Sequence, residues 1–122
     1  MVIPSFLSFQ RRALTGSLLL AAMLMTGCAI LEGKDKTAGW TAEEFLSTGQ
    51  KQMSSGDWVG AIETYKKLLG RFPYGRSAEQ AQLDTAYAYF KNDEPALTVA
   101  AADRFIQMHP THPNVDYAFY LK

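Results

Sequence analysis

The stretch Thr41–Pro73, TAEEFLSTGQKQMSSGDWVGAIETYKKLLGRFP, decides the fold. It predicts two antiparallel helices joined by a tight turn and closed by a proline. Thr41 and Glu44 have the spacing of a capping box, in which the hydroxyl accepts from the Glu44 amide and the carboxylate from the Thr41 amide. Trp40 precedes the cap and Phe45 takes the fourth helical position, the spacing of a hydrophobic staple. The first helix is expected to reach about Ser54, with Phe45, Gly49 and Met53 on one face. At Ser55-Gly56-Asp57 the glycine supplies a turn conformation that side chains resist, and Asp57 can cap the next helix. There Trp58, Ala61, Ile62, Tyr65, Leu68, Leu69 and Phe72 recur at spacings of three and four, a continuous apolar stripe. Pro73 ends it, because the residue before a proline is pushed out of helical conformation.

The same unit recurs from Glu79 to Pro110. Ser77 with Gln80 reads as a second capping box, and the helix that follows, to about Lys91, is apolar on more than one face (Ala81, Leu83, Ala86, Tyr87, Tyr89, Phe90). Such a helix should be covered from two sides. Asn92-Asp93 makes the turn, Pro95 suits the first turn of the next helix, and Leu97, Ala101, Ala102, Phe105 and Ile106 are expected on its buried face, before His109-Pro110 stops it. The closing prolines, Pro73 and Pro110, set a period of 37 residues. With these prolines at repeat position 32, the small and large residues resemble a tetratricopeptide (TPR) pattern of about 34 residues. Gly49 and Ala86 fall at position 8, Ala61 and Thr98 at 20, Tyr65 and Ala102 at 24, Leu68 and Phe105 at 27. Gln52, Thr98 and Ala102 depart from the pattern, and the three extra residues fall around Tyr74 to Ala78. Asn114 can cap a further helix with Tyr117, Ala118, Tyr120 and Leu121 on its apolar face. The expected fold class is therefore an all-α TPR solenoid over residues 40–122. Its repeats lie at about 42–75 and 79–112, and a third starts at 114. The last helix reaches Lys122 without a stop signal, so the chain reads as the first part of a longer solenoid.

Upstream, Met1–Arg12 ends in a basic pair and Ala13–Met25 is an apolar run of 13 residues. That is short of the ~20 residues a spanning helix needs and suits the h-region of a secretory signal. Met25-Thr26-Gly27-Cys28 resembles a bacterial lipobox, which implies cleavage after residue 27 and a covalent lipid on Cys28. Ala29 stands beside it where an aspartate would resemble an inner-membrane retention signal, which favours the outer membrane. Residues 28–39 then read as a lipidated tether, its 11 residues after the cysteine reaching at most roughly 35–40 Å.

Composition excludes several classes. Twelve basic side chains balance twelve acidic ones, and nucleic-acid binding would want a dense basic patch, so no nucleic-acid partner is expected. With Cys28 the single cysteine, neither an intrachain disulfide nor a cysteine-based zinc site can form. His109 and His112 sit in a proline-fixed linker rather than four apart on a helix face, and read as turn residues instead of metal ligands. No catalytic signature is present. Neither enzyme activity nor any cofactor beyond the Cys28 lipid is expected.

What remains is a binding surface. In TPR arrays the first helix of each pair lines the concave face, here through Glu43, Leu46, Gln50, Met53 and Ser54, then Gln80, Leu83, Tyr87, Phe90 and Lys91. The lysine and asparagine that clamp a terminal carboxylate in some TPR domains are replaced by Leu46 and Gln50, then by Leu83 and Tyr87. Met53, Leu83, Tyr87 and Phe90 instead form an apolar, aromatic strip able to take an extended peptide. The same side chains could equally pack against the tether or the third repeat.

Most specific is the text from Arg104-Phe105-Ile106 through His109-Pro110-Thr111-His112-Pro113-Asn114-Val115-Asp116-Tyr117, followed by Tyr120-Leu121. With QAQLDTAYAY at 80–89 and the lipobox, it resembles the BamD (ComL-type) TPR lipoproteins of the outer-membrane β-barrel assembly machinery. Asp93-Glu94-Pro95 departs from the Gly-Asp usual at that turn. The resemblance covers Cys28–Lys122, about the first half of such a protein. It implies a non-enzymatic scaffold anchored by its lipid to the outer membrane at the periplasmic face. There it would dock onto the barrel component and companion lipoproteins and receive unfolded outer-membrane-protein precursors. It also implies that later repeats carry the barrel-component contact, and that the N-terminal repeats receive a precursor's aromatic-ended strand. The alternative is a TPR lipoprotein coordinating peptidoglycan or Tol-Pal cell-envelope machinery. A third reading, an enzyme carried on a TPR anchor, would need a catalytic domain further along.

Overall fold

Among the described residues five helices follow from these signals: α1 (Ala42–Ser54), α2 (Trp58–Arg71), α3 (Arg76–Lys91), α4 (Pro95–Met108) and α5 (Val115–Leu121). The computed structural model describes Gly33 and residues 35–122. The signal segment, Cys28 and the start of the tether lie outside the described residues. Asp35–Ala38 form a local turn, in which the amide and hydroxyl of Thr37 both donate to Asp35 Oδ1. Among the described residues no helix is long and apolar enough to cross a membrane.

The capping box at α1 is complete. Glu44 N donates to Thr41 Oγ1 over 3.2 Å, and Thr41 N to Glu44 Oε2 over 2.7 Å. Trp40 meets Phe45 edge-on at 5.1 Å. Asp57 Oδ1 accepts from Gly60 N at 2.9 Å to cap α2.

The two inter-helix turns repeat bond for bond across the period. After α1, Gly56 N donates to Met53 O and Asp57 N to Gln52 O. After α3, Asp93 N donates to Phe90 O and Glu94 N to Tyr89 O, each 37 residues on. This is a Schellman closure. Gly56 takes its left-handed position at φ 79°, and Asp93 takes the same position at φ 59°.

The second repeat begins differently from expectation. α3 starts at Arg76, after Gly75 at φ 97°, ψ 175°, and no side chain caps it. Ser77 therefore lies inside the first turn, where its hydroxyl cannot cap, and the Ser77–Gln80 capping box does not form. The three extra residues are helical: α3 has 16 residues where α1 has 13, while α2 and α4 have 14 each. Asn114 stands at the head of α5 but makes no side-chain cap.

The core follows the small-and-large alternation. Phe45, Ala61, Tyr65 and Leu68 pack with Ala78 and Ala81 of α3. On the other flank Leu83 packs with Phe105 and Ala118, and Ala86 with Ala102 and Leu121. α3 is thus covered from both sides, by α1 and α2 and by α4 and α5. Each fully buried large apolar side chain contributes roughly 1.5–3 kcal/mol. Leu97, expected in the α4 core, is exposed, and Thr98 is buried in its place. The Thr98 hydroxyl is satisfied by Glu94 O at 3.0 Å, which makes this burial tolerable. Gln52, the other polar departure, accepts from Thr64 Oγ1 at 2.7 Å and ties α1 to α2.

Candidate functional site

The first helices α1, α3 and α5 neighbour one another in order, and their shared face carries an aromatic ladder centred on Tyr87. Trp58, the first residue of α2, meets Tyr87 edge-on at 6.1 Å, Phe90 lies 6.5 Å from it and Tyr117 of α5 6.3 Å. Tyr120 stacks on Tyr117 at 6.2 Å with an interplanar angle of 20°. Lys91 Nζ sits 5.7 Å over the Trp58 ring, a cation–π contact. Helical geometry explains the alignment: 87 and 90 on α3, and 117 and 120 on α5, are i, i+3 pairs that share a face. Phe90 is 52% exposed and Tyr120 79%, whereas Tyr87 is half-buried as the hub.

Beside the ladder, one turn before Tyr87, stands Asp84. Tyr65 Oη donates to its Oδ2 at 3.2 Å and Gln80 Nε2 to its Oδ1 at 2.7 Å. Burial lifts the Asp84 pKa above the ordinary carboxylate value, although the hydrogen bonds from Gln80 and Tyr65, with Gln50 of α1 nearby, pull the other way. Burial also raises the Tyr65 pKa far above the phenol range, with Asp84 adding to it, so Tyr65 remains a donor. Tyr117 is raised too, by burial first and then by Tyr87, Asp84 and Tyr120. The face thus offers stacking rings, phenolic donors and one oriented carboxyl, the chemistry of a surface that grips an extended chain.

Of the four residues expected to bind peptide, the structure brings Tyr87 and Phe90 together. Leu83 is 3% exposed and locked between Phe105 and Ala118, so it is no part of the surface. The small Ala118 lets α5 close directly over it. Met53 is half-buried against the core of the first repeat. Sequence reasoning missed Trp58, Asp84, Tyr117 and Tyr120 as surface partners. Tyr117 and Tyr120 had the available signal, an i, i+3 aromatic pair, but their spacing equally suits a core face.

The histidines buttress the linker. His109 Nε2 and Gln82 Oε1 are 2.8 Å apart, and His112 Nδ1 accepts from Asn114 N at 3.1 Å. Both rings pack 5.1 Å from Phe105. Among the described residues, no group of three His, Cys, Asp or Glu side chains is placed to hold a metal ion.

Comparison with known proteins gives a match to the family model described as tetratricopeptide repeat over residues 33–122. The chain is 44% identical over 113 residues to the outer membrane protein assembly factor BamD of Neisseria meningitidis serogroup B (strain ATCC BAA-335 / MC58), covering 89% of this chain and 41% of that protein. It is 39% identical over 104 residues to the BamD of Vibrio cholerae serotype O1, covering 85% and 42%. To the BamD of Xylella fastidiosa (strain 9a5c) it is 35% identical over 119 residues, covering 98% and 40%. The chain spans about two fifths of the length of these relatives.

Proposed function

The chain belongs to the tetratricopeptide-repeat family, and from that premise we propose that it is the N-terminal part of a BamD-type outer membrane protein assembly factor. It acts as a non-enzymatic scaffold at the periplasmic face of the outer membrane, held there by a lipid on Cys28. It docks onto the barrel component and companion lipoproteins of the assembly machinery and receives unfolded barrel precursors on its first-helix face. Its likeness to relatives named as outer membrane assembly factors supports the role. The observation that carries the site is the ladder from Trp58 through Tyr87 and Tyr117 to Tyr120. Its rings are spaced to stack on an aromatic-ended extended strand, and Phe90 and Tyr120 leave it open to solvent.

The test is photo-crosslinking in the parent cell from Tyr120 and Phe90 of the full-length protein. Crosslinks to newly exported β-barrel precursors, lost on Tyr117→Ala, are expected. Crosslinks confined to peptidoglycan or Tol-Pal components would move the protein to cell-envelope coordination and overturn the receptor role.

A further inference from the structure

A second concave surface lies on the opposite side of α3. Helical spacing puts Gln82, Thr85 and Tyr89 on the face away from Gln80, Asp84 and Tyr87. Together α2, α3 and α4 enclose a groove of about 540 Å³ there, within the size range of ligand sites. Its walls are apolar: Leu69 from α2, Tyr89 from α3, Leu97 and Met108 from α4. Leu97 is 44% exposed and Met108 45%, large side chains left facing solvent that the fold itself does not require.

The charges on this groove all have one sign. Lys66 and Arg104 line it, and among the described residues no carboxylate does, in a repeat domain that over residues 40–122 has eight basic against ten acidic side chains. Lys66 leans on the exposed Glu63 at 3.0 Å, while Arg104 makes no ion pair among the described residues. The polar floor is already engaged, Thr85 Oγ1 with Ala81 O at 2.6 Å and Gln82 Oε1 with His109 Nε2 at 2.8 Å. Recognition of charge therefore falls to the two cations.

We propose that this groove is a docking site for an acidic, apolar segment of a partner protein, a short peptide that seats two or three apolar side chains between α2 and α4 and sets carboxylates against Lys66 and Arg104. The site is separate from the aromatic ladder and does not depend on it.

The probes are two fluorescein-labelled peptides with leucines at i, i+3 and i+7, one flanked by glutamates and the other by lysines. Binding to the full-length protein is followed by anisotropy. An exposed charge pair changes affinity roughly two- to five-fold, and two pairs whose sign is reversed multiply that. The glutamate peptide is expected to bind at least ten-fold tighter than the lysine peptide. Arg104→Glu should erase or invert that preference. Ala100→Trp, which fills the groove from an exposed position, should abolish binding of both peptides without lowering the melting temperature. It should leave the crosslinks from Tyr120 in place. Equal affinity for the two peptides, or a preference unmoved by Arg104→Glu, would overturn the proposal. So would a concentration-dependent dimer that Ala100→Trp dissolves, which makes a second copy the occupant. Flotation of the unlipidated Cys28→Ala protein with phosphatidylglycerol vesicles, lost on Arg104→Glu, would assign the groove to a lipid surface and overturn it equally.

Discussion

A Cβ at Gly49 would fall on the ring of Tyr65, 2.5 Å from its Cζ. That ring is fully buried and its hydroxyl is held by Asp84, so it cannot swing aside. Gly49→Ala is therefore expected to destabilise the domain by about 1–3 kcal/mol through overpacking, outweighing the roughly 0.5–1 kcal/mol that alanine gains over glycine within a helix. Gly70 is the control: its Cβ would meet nothing within 4 Å, so Gly70→Ala should stabilise by up to roughly 0.5–1 kcal/mol. Urea unfolding of the two variants checks the pair, and equal effects would mean that the α1–α2 approach is looser than the geometry states. Asp84 gives the pH dependence. Its folded pKa is raised, by burial above all, so its contribution to stability is fully present below its unfolded pKa and is lost as pH rises through the folded one. Near neutral pH the ionised carboxylate weakens the fold. Asp84→Asn, which keeps the shape without the charge, should be the more stable protein at about pH 7, with the difference shrinking as pH falls through the raised folded pKa and gone below the unfolded pKa of about 4. A difference that widened on acidification would reverse the sign assigned to Asp84.

The elements differ in how their ends are closed. The Schellman turn after α1 uses Gly56, but the matching turn after α3 puts Asp93 in the left-handed region at φ 59°, where a side chain strains against the following carbonyl. Asp93→Gly should relieve this and stabilise the second repeat by roughly 0.5–1 kcal/mol, read as a rise in melting temperature. The helix starts separate just as clearly. Thr41→Ala removes a complete capping box and should cost about 1 kcal/mol, whereas Ser77→Ala removes no cap and should stay within roughly 0.5 kcal/mol of the parent; a large loss at Ser77 would mean that it caps after all. Much at this scale was legible because the signals are local. A Thr-x-x-Glu box, a Gly-Asp turn and a proline stop each act within four or five residues, and all proved to sit where expected. Ser77-x-x-Gln80 had equal local credentials and failed. Gly75 turned the chain two residues earlier, at φ 97°, so that α3 starts at Arg76, two residues ahead of Ala78, which packs against the first repeat. Tertiary burial of Ala78 outweighed the local cap.

At the scale of the whole molecule the two faces of α3 carry different chemistry, aromatic with one carboxyl on one side and apolar with two cations on the other. The ladder was half legible: Tyr87 and Phe90 follow from repeat positions, but Leu83 does not belong, because only the docking of α5 through Ala118 decides which neighbour is buried. Such cross-helix pairing has no sequence-local signal. On the proposed function, where the domain is held rests on a lipid at Cys28. One acyl chain gives marginal, reversible membrane binding, while two or three, at ~0.8 kcal/mol per buried methylene, hold a protein stably. Cys28→Ala removes the thiol that would carry the diacylglyceryl group and the residue before which the peptide would be cut. It should leave the protein in its precursor form, unlabelled by a fatty-acid probe and absent from the outer-membrane fraction. The melting temperature of the repeat domain should not change, since among the described residues none of its core residues lies upstream of Trp40. Normal labelling and outer-membrane recovery of the alanine variant would place the anchor elsewhere. Loss of the anchor with a shifted melting temperature would instead tie the upstream segment to the stability of the repeats, and the tether would have to be read as part of the fold.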